Sequence, residues 1–88
     1  MDSNTNKNYS ITNFYLAAFL LTKGLNLVGI DRTNPQRSRF QFVKSPQWER
    51  LIEAFSFAKD NDPEVLIDAR KFVTAIKSLK EKLYLNKF

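Results

Sequence analysis

Neither cysteine nor histidine occurs among the 88 residues. Missing thiols exclude disulfide staples, thiol nucleophiles and redox switches, and the double absence excludes zinc sites of the Cys/His type. Without imidazole no side chain has an unperturbed pKa near neutrality, so acid–base chemistry would need a strongly shifted carboxylate or lysine. Glycine is reduced to Gly24 and Gly29, too few for a phosphate-cradling loop. The longest apolar run, from Phe14 to Leu21, has eight residues, against the ~20 that span a bilayer. The opening residues are rich in Asn, Ser, Thr and Lys, unlike a secretory leader. These absences set the expectation of a cytoplasmic, non-enzymatic protein with no cofactor, no metal and no membrane partner.

What is present is basic and aromatic. Fourteen Lys and Arg against nine Asp and Glu give a net charge of +5 and a pI near 9.7. That balance favours nucleic acid, an anionic membrane or an acidic protein surface as partner. Hydrophobic residues make up 43%, with eight Phe, three Tyr and one Trp, enough for one modest core in one domain.

Residues 1–11 are polar and read as a flexible tail, leaving 12–88 as a single small α+β domain. Thr12 or Asn13 is suited to cap a first helix over 14–23, and Gly24 to stop it in a left-handed conformation. That helix is apolar almost all round, through Phe14, Tyr15, Leu16, Ala17, Ala18, Phe19, Leu20 and Leu21, so it is expected to be central or to seal a homodimer. Residues 25–31 and 39–43 read as a hairpin around Asn34-Pro35, with Val28 and Ile30 facing the core opposite Phe40 and Phe42. Ser45-Pro46 starts a second helix that ends near Lys59. Residues 65–67 form a brief extended segment. Asp68 caps a final helix reaching Lys87, with Ile67 and Phe72 as a hydrophobic staple. The expected order is helix, β-hairpin, helix, helix.

Several of these strings occur together: Phe14-Tyr15-Leu16-Ala17-Ala18-Phe19-Leu20-Leu21 followed by Lys23-Gly24, then Val28-Gly29 and Arg32, then Phe40 and Phe42. They end on Phe72, Ala75-Ile76-Lys77, Leu79-Lys80 and Leu83-Tyr84. The set resembles a family of small bacterial and phage proteins with no assigned activity. The resemblance spans residues 11–84 and implies a shared fold and a bacterial or mobile-element origin. It transfers no functional residue.

Two basic elements carry the functional reading. The hairpin turn holds Arg32, Arg37 and Arg39, with Lys44 just beyond, and guanidinium forks match phosphate oxygens. The last helix carries Lys77, Lys80 and Tyr84 in a row beside its apolar stripe, which suits phosphates and a stacked base or sugar. Plainer readings stand beside both: turn residues are commonly solvated, and lysines flanking an apolar stripe lay their stems over it with the ammonium in water. The acidic string Asp60-Asn61-Asp62-Pro63-Glu64 lacks the glycine and the distant glutamate of a calcium loop and reads as a turn. Glu49 and Glu53 make a polar helix face. Trp48 reads as core, whereas Tyr9 and Phe88 lie outside the periodic core and are freer for contact. The expected function is nucleic-acid binding, DNA ahead of RNA, through phosphate contacts. The alternative is a protein-interaction module docking on a larger protein or nucleoprotein complex.

Overall fold

Local capping chemistry sets most helix boundaries in the computed structural model, which describes residues 8–34 and 36–85. Helix α1 (Phe14–Thr22) opens where the Asn13 side-chain oxygen accepts from the Leu16 amide at 3.1 Å, satisfying one of the exposed donors of the first turn. It closes on Gly24, whose φ of +100° few other residues tolerate. The Gly24 amide donates to the Leu21 carbonyl and the Leu25 amide to the Leu20 carbonyl, the paired bonds of a Schellman stop. Helix α3 (Ala69–Leu85) starts at Asp68, whose carboxylate accepts from the amides of Arg70 and Lys71 at 2.8 and 3.1 Å. Ile67 and Phe72 both pack on the core beside that cap, as a staple requires.

Helix α2 (Trp48–Phe57) begins later than its Ser45-Pro46 start signal suggests. The Ser45 hydroxyl accepts from the Gln47 amide and its carbonyl accepts from Trp48, so the serine closes a turn ahead of the helix instead of capping it. Residues 65–67 are not extended against the hairpin: the amides of Val65 and Leu66 fold back onto the carbonyls of Asp62 and Pro63.

Three strands form one antiparallel sheet: β1 (Asn8–Ile11), β2 (Leu27–Asp31) and β3 (Arg39–Val43), in the order β1-β3-β2. The polar tail expected over residues 1–11 is thus corrected at 8–11, which pair with β3, while residues 1–7 lie outside the described residues. The reason is alternation within a short segment: Tyr9 stands opposite Phe42 and Ile11 opposite Phe40, so both reach the core face while Ser10 points away. Because β1 and β2 both run antiparallel to β3, they are parallel to each other, and β1-α1-β2 is a split β-α-β unit around β3.

A bulge corrects the second strand. Leu27 pairs with Phe42 but Gly29 pairs with Gln41, leaving Val28 as the extra residue. Leu27 and Ile30 therefore face the core, and Val28 is exposed. The three helices cover one face of the sheet. The largest fully buried side chains, Leu20, Phe42, Leu51 and Leu79, come one each from α1, β3, α2 and α3, which identifies the junction of these elements as the centre of the core. Trp48 bridges strand and helix, 5.8 Å from the Phe42 ring and stacked on Tyr9 at 4.6 Å. The outer sheet face, with Ser10, Gln41, Arg39 and Val43, has no helix over it among the described residues and stays polar between its valines.

Candidate nucleic-acid interface

Helix α3 divides cleanly between core and solvent. Ala75 and Leu79 are buried and Phe72, Ile76 and Leu83 pack around them. Val73, Lys77, Lys80 and Tyr84 share a separate exposed strip, with Tyr84 73% accessible. At ~100° per residue these four lie within about 60° of arc, so they form one row. The helix carries five cations, Arg70, Lys71, Lys77, Lys80 and Lys82, against Glu81 alone. Acidic residues gather instead in the connection that precedes it, at Asp60, Asp62, Glu64 and Asp68. The molecule is therefore electrically lopsided, and Lys77 and Lys80 have no ion-pair partner among the described residues.

The other end of this helix is fixed by a residue from the hairpin. Arg32 donates from Nη2 to the Lys82 carbonyl at 2.6 Å, placing a cation at the negative end of the helix dipole. Its Nε is buried with no partner among the described residues. Arg32 is thus a structural cap for α3, a role its expected assignment as a phosphate contact did not include.

Beyond Arg32 the hairpin tip is shaped by short polar side chains. The Asp31 carboxylate accepts from the Thr33 hydroxyl at 2.6 Å and from the Thr33 amide at 2.8 Å. The Asn34 side chain accepts from Gln36, and the Asn34 carbonyl accepts from Arg37. These are Asx-type turns, which hold a loop by satisfying its own amides. The two Thr33 bonds, followed by the field of Arg39, hold the Asp31 carboxyl below its ordinary range. Arg39 faces Asp31 in register across the strands, so its charge is partly answered.

Arg37 is exposed, and its side chain makes no bond to any described residue. It lines two cavities. One, of about 260 Å³, is shared with Asp31, Thr33, Asn34 and Arg39. The other, of about 640 Å³, lies between the start of α1, the hairpin tip and Leu83 of α3. The tip and the C-terminal end of α3 therefore occupy the same end of the molecule, which places Arg37, Arg39 and Tyr84 there, with Lys80 one turn back and Lys77 two. Lys44 follows the opposite end of β3 and lines a cavity with Gly24 and Leu25, so the structure separates it from the rest.

The remaining residues fall as follows. Trp48 is 7% exposed and belongs to the core. Tyr9, read as a free contact residue, is instead stacked on that tryptophan, and Phe88 lies outside the described residues. In the acidic string, Asp62 accepts from the Glu64 amide and Glu64 pairs with Arg50 at 3.4 Å, as an ordinary turn does. In α1, Leu16 through Leu20 are buried within the chain, leaving Tyr15 as the large exposed side chain on the helix expected to seal a dimer. The residues that sequence reasoning missed are Thr12, Asn13, Gln36 and Ser38, the polar wall of the larger cavity. They come from two segments that meet only in the folded chain, and no local spacing signals that meeting.

Fold and surface together define a small α+β domain of three helices and a three-stranded antiparallel sheet, with Lys77 and Lys80 exposed on its last helix and without an ion-pair partner among the described residues. The chain belongs to the family described as a domain of unknown function, DUF5659, whose model matches residues 6–85. No curated protein and no solved structure matches it. Among the described residues, no helix is long and apolar enough to cross a membrane.

Proposed function

We propose that this domain binds nucleic acid, DNA before RNA, as a non-enzymatic accessory protein, with Arg37, Arg39, Lys77, Lys80 and Tyr84 in contact. The motif resemblance supports a bacterial or phage setting, and the composition a cytoplasmic one. The observation that carries the reading is the Arg32–Lys82 bond, because it holds the arginine tip against the end of a helix with four more cations than acids. Phosphate contacts of this kind give affinity and orientation without sequence choice. The outer sheet face argues against base stacking of the RNA-recognition type, since Ser10, Gly29 and Gln41 occupy its middle where stacking aromatics would be needed.

The test is the salt dependence of DNA binding. Four neutralised phosphates give a log–log slope of about −3 to −4. Lys77→Gln combined with Lys80→Gln should reduce the slope by about 2 while leaving the fold intact. Affinity indifferent to salt would refute the proposal.

One feature favours a second reading, docking on a protein. Phe57, at the end of α2, is 83% exposed beside Glu53, Asp62 and Glu64. An aromatic anchor with a charged surround is the composition of an interface hot spot. A partner retained after nuclease treatment and lost with Phe57→Ser would support docking over DNA binding.

A further inference from the structure

The open depression at the hairpin tip, of about 640 Å³, has room for a small ligand. Its apolar lining is Phe14, Phe40 and Leu83, with the two rings edge to face at 6.0 Å. Around this lining stand the exposed Asn13, Gln36 and Arg37. The Asn13 oxygen is engaged by the Leu16 amide, and its NH₂ is bonded to no described residue. Gln36 offers both a donor and an acceptor, and its side chain is bonded to no described residue. Arg37 stands between this cavity and the smaller one that contains Arg39. The half-buried Phe14 and Leu83 with Phe40 beneath them, an amide rim and a guanidinium at the edge together match a nucleobase attached to a phosphate.

We propose that this cavity receives an unstacked base of single-stranded DNA, with Gln36 and Asn13 meeting the base edge and Arg37 the adjoining phosphate. The inference rests on the nucleic-acid reading above and narrows its ligand to a single strand. A paired base is held in the duplex stack and would have to be extruded first, at a cost that a single strand does not incur. Tyr84, next to Leu83 in sequence, and the lysine row of α3 then carry the neighbouring backbone away from the pocket.

The test compares three ligands by fluorescence anisotropy at one salt concentration: a single-stranded DNA, the same strand built of abasic units, and the duplex. Base insertion predicts affinity for the normal strand about tenfold or more above that for the abasic strand, and above that for the duplex. Gln36→Ala should narrow the gap between normal and abasic strands. Lys77→Gln with Lys80→Gln should weaken both strands alike. Equal affinity for normal and abasic strands, or tighter binding of duplex, would overturn the pocket while leaving the phosphate reading intact. No binding of any of the three would overturn both. The ligand comparison uses the unaltered protein, so a misfolded variant cannot mimic either result.

Discussion

Arg32 works through its whole length: the guanidinium caps the last turn of α3 while its Nε is withdrawn from water. Truncation to alanine removes the hydrogen bond to the Lys82 carbonyl and the charge that answers the helix dipole. Arg32→Ala should lower unfolding free energy by about 1–3 kcal/mol in urea titration, and its effect on DNA affinity should follow that loss of fold rather than the salt slope. Asp31 contributes at the other side of the turn. Its folded pKa lies below the ordinary 3.8 because Thr33 donates twice to the carboxylate. A depressed carboxyl pKa adds stability that is present above the unfolded value and disappears as pH falls through the folded one. Thermal unfolding between pH 6 and pH 2 should therefore show a loss beginning near pH 4, and Asp31→Asn should flatten that part of the profile. None of this residue-scale behaviour could be read from spacing for Arg32, whose acceptor is fifty positions away. The Asp31–Thr33 bond, by contrast, spans two residues, and its residue types are those of an ordinary turn.

At the scale of elements, the boundaries of α1 and α3, written in local chemistry, were legible, the start of α2 was misplaced because Ser45 closes a turn instead of capping, and features set by strand pairing were hidden. Asn13, Gly24, Asp68 and the Ile67–Phe72 pair act within a turn of their own helix, so the sequence carries their signal directly. Gly24 offers a clean check, because a Cβ there would meet no atom within 4 Å. Gly24→Ala should cost about 1–2 kcal/mol through backbone strain alone, measured by urea titration. Strand β1 was hidden because four residues with two apolar positions fall below any period that a scan detects. The bulge at Val28 was hidden because it exists only relative to β3. Of the candidate site, the cationic row of α3 was visible as a helical repeat, while the cavity was invisible because its walls come from α1, the tip and α3.

Seen whole, the molecule is a sheet with helices on one side, and an acidic connection over residues 60–68 leads into a last helix with five cations and one acid. Its integrity at the β1 edge can be followed optically. The single tryptophan is buried and stacked on Tyr9, so it reports whether β1 is docked. Tyr9→Ala should shift Trp48 emission to the red and lower stability by about 2 kcal/mol. If emission stayed unchanged, β1 would not be the cover over Trp48.

The Arg32 cap also orders events during synthesis. Lys82 leaves the ribosome fifty residues after Arg32, and at common elongation rates of ~5–20 residues per second that is an interval of several seconds. The hairpin has time to form while its guanidinium is still hydrated, and only the arrival of α3 withdraws that group from water. Docking of α3 is accordingly the step that supplies the acceptor for the Arg32 guanidinium, and a nascent chain that has not yet reached Lys82 lacks that cap.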